Sequence, residues 1–291
     1  MAVEKSEDPV GSLPMEGRTC LVTGATSGIG QALAVGLARQ GATVVLLARD
    51  PAAGQATLAR LNQAAGSAHD LIVADLSSMA SVRRAASAFR GRQPQLHLLV
   101  NSASTFLLSR TTTSDGLELM FATNHLGPFL LTGLLLDTLK TSAPSRILIV
   151  TAPSTVPMDF DDLQGERSFR ATNAFGATKA ANLLFLFALA RRLAGSGVAA
   201  NAIHPGLVRS RLMRHAPAPL RWLSYLTSAP AARAVEPILR LASDPEFREA
   251  SGRFYLRARE ISPPPYTMDE SVQDRLWSVS ESLVASATPS E

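Results

Sequence analysis

Short apolar runs alternate along the chain with longer stretches whose apolar residues recur at helical spacing. The runs predict six strands, Thr19–Thr23, Thr43–Leu47, Leu71–Ala74, Leu96–Asn101, Arg146–Thr151 and Val198–Ile203. The stretches predict six helices, Ile29–Gln40, Ala52–Ala65, Ser78–Phe89, Leu117–Lys140, Ala174–Ala194 and Ala231–Ala242. Because the strands are almost wholly apolar, we expect an α/β fold, a single doubly wound Rossmann-type domain with a parallel sheet flanked by helices on both faces.

The alternation continues without a break from residue 16 to residue 260, which predicts one domain over 16–260. The polar, acidic residues 1–15 are expected to form a flexible N-terminal segment. After Pro263–Pro265, residues 261–291 predict a C-terminal extension with one amphipathic helix that packs back on the domain. Its apolar side carries Val272, Leu276, Trp277, Leu283 and Val284.

Composition excludes several classes of protein. The 291 residues are 46% apolar, and 28 Lys+Arg nearly balance 24 Asp+Glu, which argues against a disordered tail and against nucleic acid as a partner. The single cysteine, Cys20, excludes an intramolecular disulfide framework and a cysteine-based zinc cage. The first residues lack an apolar signal-peptide core, and the most apolar stretches are shorter than a membrane span. We therefore expect a cytoplasmic protein with no membrane anchor.

A glycine-rich segment, Thr23–Gly30, stands between the first predicted strand and the first predicted helix. Glycines at such a turn let the backbone approach a pyrophosphate, and the helix N-terminus offers free N–H groups to the phosphate oxygens. The strand–turn–helix context makes the pattern a dinucleotide-binding prediction. The residues predicted to contact the cofactor here are Gly24, Thr26, Ser27, Gly28, Ile29 and Gly30.

The segment Thr-Gly-Ala-Thr-Ser-Gly-Ile-Gly resembles the nucleotide fingerprint of the short-chain dehydrogenase/reductase family. Further segments resemble family motifs in the same order, with a likeness to the retinol-dehydrogenase-like subgroup: Ala74–Leu76, Leu99–Ser104, Asn124–Phe129, His204–Val208 and Ser251–Tyr255. Two of the four residues in Asn101–Ser104 depart from the family's Asn-Asn-Ala-Gly. The resemblance spans nearly the whole chain and implies further cofactor contacts at Asp75, Leu76, Asn101, Ala103, Lys179, Pro205, Gly206 and Val208.

The end of the second strand bears on the choice of nucleotide. An acidic residue there would accept a hydrogen bond from the ribose 2′-hydroxyl of NAD(H), but this strand ends in Arg49, which suits a 2′-phosphate. We therefore expect NADP(H) as the cofactor. The alternative is that Arg49 is only a solvated charge and that Asp50 binds the ribose.

The resemblance implies a catalytic set of four residues, which in the family are a tyrosine, a lysine, a serine and an asparagine. Lys179 matches the lysine and Asn124 the asparagine. The tyrosine position holds Phe175 and the second serine position holds Ala152, so both groups that touch the substrate oxygen are replaced. The chain has three tyrosines, all after residue 224, so no shift of alignment restores the missing one.

Other polar residues near these positions are candidates to replace the lost groups. Ser154 or Thr155 is expected to fold inward if the loop after the fifth strand is shorter than in relatives. Thr172 and Asn173 precede Phe175, and His204 ends the sixth strand close to the expected nicotinamide.

Three classes of function fit such a site. The first is an atypical NADP(H)-dependent oxidoreductase, reducing a ketone or enone with a non-standard proton donor. The second is a non-redox isomerase, dehydratase or cyclase on the same fold, and the third is a non-catalytic NADP(H)-binding protein. The intact nucleotide motifs favour the first, whereas the paired loss of serine and tyrosine favours the others.

The remaining expectations concern the substrate and partners. Residues 207–232 form a predicted apolar lid, which indicates a bulky hydrophobic small molecule. In the family, the two long helices form the subunit interface, so the resemblance implies a homodimer or homotetramer. The acidic residues Asp159, Asp161 and Asp162 lack a histidine to complete a ligand set, so no metal site is predicted.

Overall fold

A computed structural model describes residues 13–66, 69–206, 208 and 229–287. Their centre is an eight-stranded sheet in the order β3-β2-β1-β4-β5-β6-β7-β8. The strands are β1 (Thr19–Thr23), β2 (Thr43–Ala48), β3 (Asp70–Val73), β4 (Leu98–Asn101), β5 (Ser145–Val150), β6 (Val198–His204), β7 (Arg253–Leu256) and β8 (Arg259–Glu260). The first seven are parallel, and the order reverses between β1 and β4, as in dinucleotide-binding folds.

Helices cover both faces of the sheet. They are α1 (Gly28–Arg39), α2 (Pro51–Ala65), α3 (Met79–Arg92), α4 (Leu119–Phe121), α5 (Gly127–Thr141), α6 (Ala171–Arg192), α7 (Ala231–Ala234), α8 (Glu236–Ser243) and α9 (Glu270–Ser286). A π-helical turn, Ala122–Leu126, joins α4 to α5. Side chains cap several N-termini: Asp50 caps α2, Ser78 caps α3 and Asp269 caps α9.

The doubly wound α/β prediction is confirmed, and the six predicted strands lie within two residues of their observed bounds. Two details differ. The predicted helix Ala231–Ala242 divides into α7 and α8, because Pro237 in the first turn of α8 has no N–H to continue a helix. The sheet is not wholly parallel, since β8 pairs with β7 in the antiparallel sense. Only Arg257 and Ala258 separate these strands, a connection too short for a parallel crossover.

Strand alternation divides the interior into two apolar cores, one on each face. On β1, Leu21 belongs to the core beneath α3, α5 and α6, whereas Cys20 and Val22 belong to the core beneath α1 and α8. All five β1 residues are buried, as expected for a central parallel strand. Met15, just before β1, is also buried, and its N–H donates to the Gln40 carbonyl over 2.8 Å.

The C-terminal extension packs on the domain, as predicted. The Trp277 ring of α9 lies 5.0 Å from the Phe129 ring of α5 and 5.8 Å from the Phe185 ring of α6, centroid to centroid. The Arg192 guanidinium stacks 4.1 Å from the Trp277 centroid. Helix α9 therefore covers apolar surface of the two long helices from which oligomerisation is predicted. The homodimer or homotetramer stays a prediction.

Two helical stretches, Leu119–Thr141 and Ala171–Arg192, are long and apolar enough to cross a membrane by length and composition. Most of their residues are buried inside the protein, which is what core helices of a soluble fold also show. The predicted lid, residues 207–232, lies outside the described residues except for Val208 and the segment from residue 229 onward. Val208 forms a bridge with Ala229.

Candidate active site

The predicted site residues gather along one edge of the sheet, where the parallel strands end. The glycine-rich turn follows β1, Arg49 follows β2, Asp75 and Leu76 follow β3, Asn101 and Ala103 lie at the end of β4, Ala152 follows β5, and Pro205, Gly206 and Val208 follow β6. Ligands of open α/β sheets bind at this edge, next to the point where strand order reverses.

Backbone segments approach one another closely at the glycine-rich turn. A Cβ on Gly24 would lie 2.7 Å from the Ala103 Cα, and a Cβ on Gly30 would lie 2.4 Å from the Gly24 carbonyl oxygen. Gly24 also has a φ of +66°, in the left-handed region that favours glycine. Thr23 ties the turn to β4, because its hydroxyl accepts hydrogen bonds from the Ser102 and Ala103 N–H groups. The turn thus depends on glycine for steric reasons.

The N-terminus of α1 is left without a side-chain cap. Ser27 occupies the N-cap position in extended conformation, but its hydroxyl accepts no capping hydrogen bond. The first N–H groups of α1 are therefore available to an outside acceptor, and the helix dipole favours an anion there. Thr26, Ser27 and Ile29 are partly exposed around this end. The arrangement fits the pyrophosphate of a dinucleotide.

Arg49 and Asp50 have different roles after β2. The Asp50 carboxylate caps α2 by accepting hydrogen bonds from the Ala52 and Ala53 N–H groups, over 2.9 and 3.1 Å. Arg49 is exposed and forms no ion pair within the described ranges. Arg49 is therefore free to bind a ligand phosphate, whereas Asp50 has its Oδ1 atom engaged in the cap of α2.

Asp75 and Asn101 shape the next part of the edge. One Asp75 oxygen accepts from the Ser77 N–H and hydroxyl, which fixes the turn before α3. Asn101 is buried and donates to the Thr132 hydroxyl over 3.0 Å. Its Oδ1 atom is buried with no hydrogen-bond donor in the part of the chain that the structure describes. A buried acceptor of this kind is uncommon in proteins and frequently marks a functional region.

Lys179 lies on α6 with its amine inside the protein. The Nζ atom donates a hydrogen bond to the Ser104 hydroxyl over 2.9 Å and lies 4.8 Å from the centroid of the Phe175 ring. Its side chain forms no ion pair with any described carboxylate. Burial lowers the pKa of Lys179 to about 8, because desolvation disfavours the charged ammonium.

Asn124 clamps two segments of the site together. Its Oδ1 accepts from the Thr105 N–H over 2.7 Å, and its Nδ2 donates to the Thr105 carbonyl and to the Thr178 hydroxyl. Asn124 lies in the π-helical turn, a feature that often occurs at functional sites. Since Thr105 adjoins Ser104 and Thr178 adjoins Lys179, the clamp fixes the distance between Ser104 and Lys179.

Two residues of the loop after β5, Thr151 and Ser154, are buried and carry hydroxyl groups. Thr151 is buried, but its hydroxyl donates to the Lys179 carbonyl, and Ala152 offers no polar group. Of the two predicted substitutes, Ser154 is buried and Thr155 is exposed. The Ser154 hydroxyl accepts from the Val156 N–H over 3.2 Å and lies 3.2 Å from where a Cβ on Gly176 would stand. Ser154 therefore sits against the first turns of α6, beside Phe175.

Phe175 lies one helical turn before Lys179 on α6, and its ring meets the Phe106 ring edge-on with centroids 5.5 Å apart. Thr172 and Asn173 are exposed, which does not favour them as substitute donors. A tyrosine from the C-terminal extension, Tyr266, does reach the loop after β5, which sequence reasoning did not anticipate. Its hydroxyl donates to the Val156 carbonyl over 2.9 Å, and burial raises the pKa of Tyr266 to about 12.

Two histidines differ in their surroundings. His204 is half-buried at the end of β6, and burial, together with the positive charges of Arg257 and Lys179, lowers its pKa. His125 is wholly buried; its Nε2 lies 2.9 Å from the Ser280 hydroxyl of α9, and burial lowers its pKa to about 4. His125 is therefore a packed residue of the core. Within the described residues, no group of three His, Cys, Asp or Glu side chains could hold a metal ion.

Sequence reasoning missed Ser104 as a functional candidate. The signal was present, since Ser104 stands where the resembled Asn-Asn-Ala-Gly motif has glycine. The departure was visible, but its meaning depends on the position of the Lys179 amine, which lies 75 residues away in the chain.

The chain is similar to known proteins in sequence and in fold. Residues 18–220 match the family model described as short chain dehydrogenase. The chain is 39% identical to retinol dehydrogenase 14 of Mus musculus, over 93% of this chain and 86% of that protein. Among solved structures, it is similar to an uncharacterized protein from Mycobacterium paratuberculosis, with 30% identity, a TM-score of 0.75 and coverage of 94% and 96%. The NADP complex of RhlG from Pseudomonas aeruginosa shows 28% identity, a TM-score of 0.69 and coverage of 88% and 99%.

Proposed function

The chain belongs to the short-chain dehydrogenase/reductase family of oxidoreductases, and on that premise we propose that it is an NADP(H)-dependent reductase of bulky, hydrophobic carbonyl compounds. The observation that carries the proposal is the difference between two neighbouring residues after β2, Arg49 and Asp50. Arg49 is unpaired among the described residues and exposed, whereas the neighbouring Asp50 is engaged in capping α2. A guanidinium binds a 2′-phosphate through charge-assisted hydrogen bonds, which an acidic residue would repel.

The residues that would hold the dinucleotide fit it sterically. The turn of Gly24, Gly28 and Gly30 and the uncapped N-terminus of α1 would receive the pyrophosphate, and Arg49 would receive the 2′-phosphate. Asp75 and Asn101 lie at the adenosine side of this edge by resemblance to the family, and Pro205, Gly206 and Val208 lie at the nicotinamide side. When bound, the reduced nicotinamide supplies a hydride to the carbonyl carbon.

Apolar rings and a buried amine surround the reacting end. Phe106 and Phe175 give the site an apolar wall, which favours an apolar substrate and excludes water. The Lys179 ammonium lies 4.8 Å from the centroid of the Phe175 ring, and it favours negative charge on a carbonyl oxygen. The name of the mouse relative suggests retinoids as one substrate class to test. The cytoplasmic location stays a prediction.

A second candidate is favoured by Ala152 and Phe175. If these residues replace the family's serine and tyrosine, the chain binds NADP(H) without turning it over, or catalyses a non-redox step beside it. Against this second candidate, loss of one general acid typically costs about 10²–10⁴-fold in rate, which weakens a redox reaction without abolishing it.

The test measures NADPH binding by fluorescence titration and NADPH oxidation with all-trans-retinal and with α-tetralone. We expect binding and slow oxidation by the wild-type protein. The double variant Ala152→Ser/Phe175→Tyr should oxidise NADPH faster with the same carbonyls. Binding without oxidation by the wild type, together with oxidation by the double variant, would show that the natural protein is not a reductase. Absence of NADPH binding would contradict the proposal altogether.

A further inference from the structure

Ser104 presents a hydroxyl with an uncommitted proton next to the buried amine. The residue is half-buried in the segment after β4, and its oxygen accepts the hydrogen bond from Lys179 Nζ over 2.9 Å. Within the described residues, the Ser104 hydroxyl donates to no protein acceptor. A hydroxyl that accepts from a lysine on one side and is free to donate on the other can pass a proton between them.

The Ser104–Lys179 contact is fixed by the fold. The Asn124 amide bonds to the backbone of Thr105 and to the Thr178 hydroxyl, which are the chain neighbours of the two residues. The Thr178 hydroxyl donates in turn to the Phe175 carbonyl, which ties this clamp to the first turns of α6. Asn124 is thus a positioning residue for the pair.

The other hydroxyls near the site are less suited to the task. The Thr151 hydroxyl donates to the Lys179 carbonyl, and the Tyr266 hydroxyl donates to the Val156 carbonyl. Ser154 hydrogen-bonds to the Val156 N–H and makes no hydrogen bond to Lys179. Of the side-chain hydroxyls that the structure describes, Ser104 alone is bonded to the amine.

The groups that surround the Lys179 amine leave its ammonium able to give up a proton. Phe175 contacts it on α6, Ser104 contacts it from the β4 end, and His204 with Arg257 behind it faces it from the β6–β7 end. None of these groups is an anion. Burial lowers the pKa of Lys179 to about 8, near the value at which a general acid works best at neutral pH.

We propose that Ser104 is a catalytic residue that donates the proton to the substrate oxygen, and that Lys179 replenishes it. The inference rests on the proposed reductase function. As the carbonyl carbon gains a hydride and the dihydronicotinamide is oxidised, the Ser104 O–H bond breaks and an O–H bond forms on the substrate oxygen. An N–H bond of the Lys179 ammonium breaks at the same time and restores the serine hydroxyl. Solvent then returns one proton to Lys179, so the cycle consumes one NADPH and one proton for each alcohol formed.

The activity test compares Ser104→Ala with Ser109→Ala, an exposed serine of the same segment. Oxidation of NADPH by all-trans-retinal and by α-tetralone is followed, with NADPH affinity measured separately. We expect Ser104→Ala to lose about 10²–10⁴-fold in kcat with unchanged NADPH affinity, and Ser109→Ala to match the wild type. Adding Phe175→Tyr to Ser104→Ala should restore at least about tenfold, because the new phenol can donate the proton instead.

A second readout needs neither cofactor nor turnover. The chain has three lysines, Lys5, Lys140 and Lys179, so 13C-lysine labelling gives few signals to assign by NMR. Ser104 accepts a hydrogen bond from the ammonium and favours the charged form. We therefore expect the Lys179 titration in the apoprotein to move to lower pH in Ser104→Ala and to stay unchanged in Ser109→Ala.

The outcomes separate the two proposals. No NADPH binding by the wild type would refute the reductase itself. NADPH oxidation at the wild-type rate by Ser104→Ala, or a Lys179 titration that does not respond to Ser104→Ala, would overturn the role of Ser104 while leaving the reductase intact. A slow Ser104→Ala variant that Phe175→Tyr rescues, with a shifted Lys179 titration, supports the relay.

Discussion

At the nucleotide end the site is made mainly by backbone, whereas at the catalytic end it is made by the functional groups of side chains. Gly24 and Gly30 are required because a Cβ would meet backbone atoms at 2.7 and 2.4 Å. At the other end, the side chains of Phe175 and Ala152 carry no polar group, and the Lys179 amine bonds to the Ser104 hydroxyl. A binding turn made of backbone allows almost no substitution of its glycines. A proton, in contrast, can reach the substrate oxygen from a hydroxyl on a different element of the fold.

At the nucleotide end, the contrast predicts its largest effect on NADPH affinity for Gly30→Ala. The added methyl would press on the Gly24 carbonyl, so NADPH affinity should fall by at least about 100-fold, or ~2.8 kcal/mol. Fluorescence titration measures the affinity, and circular dichroism checks that the variant is folded. Gly133→Ala is the matched control, since nothing lies within 4 Å of its Cβ position. Wild-type affinity in Gly30→Ala would show that the cradle is less rigid than the structure indicates.

Lys179→Met tests the catalytic end. The variant should lose about 10²–10⁴-fold in the rate of carbonyl reduction, because the proton source is gone. Its melting temperature should stay level or rise by about 2–4 °C, because a desolvated charge is replaced by an apolar side chain of similar length. Lys140→Met, at an exposed lysine, should change neither quantity. A marked loss of stability in Lys179→Met would point to a structural role for the amine.

The pH dependence of the reaction rate also tests the role of Lys179 as the proton source. Lys179 is protonated below its pKa of about 8 and neutral above it. Carbonyl reduction should therefore be fastest below pH 8 and fall about tenfold for each pH unit above it, while alcohol oxidation should show the opposite trend. Steady-state rates from pH 6 to 10 give the profile. A reduction rate that is flat across pH 8 would exclude Lys179 as the source of the proton.

Arg49→Ala tests the selectivity of the nucleotide end. Loss of the guanidinium should weaken NADPH binding by about 10–100-fold, the range of a charge-assisted hydrogen bond, and leave NADH binding unchanged. Titrations with both nucleotides measure the ratio, with the exposed Arg90→Ala as control. Equal losses for NADPH and NADH would indicate that Arg49 does not read the 2′-phosphate.

The smallest effect is expected at Ser280→Ala, beneath the catalytic end. The variant leaves the buried Nε2 of His125 without a partner and should cost about 1–3 kcal/mol of unfolding free energy, with little change in kcat. Urea unfolding measures the difference. Ser278→Ala lies on the same helix with an exposed hydroxyl that bonds only the Asp274 carbonyl, so it should cost less than about 0.5 kcal/mol. Equal losses in the two variants would argue against the His125–Ser280 bond.

Much of the fold and of the nucleotide end could be predicted because both are local in sequence. Apolar runs such as Thr19–Thr23 are buried on both faces, and their composition alone indicates a central parallel strand. The glycine-rich turn is a continuous segment between a strand and a helix, so its role in phosphate binding can be predicted from neighbouring residues in the sequence. Pairing of β8 with β7 was not predicted, because its two residues, Arg259 and Glu260, carry no apolar signal.

The sequence by itself determined the doubly wound fold, the glycine cradle and the absence of a tyrosine one turn before Lys179. Only the tertiary structure decided that Asp50 is engaged at α2, that Ser154 rather than Thr155 is buried, and that Ser104 meets the Lys179 amine. The physical reason is the separation along the chain over which each interaction acts. Periodicity and turn chemistry act over a few residues, whereas a hydrogen bond between residues 75 positions apart exists only once β4, α6 and the Asn124 clamp have been brought together.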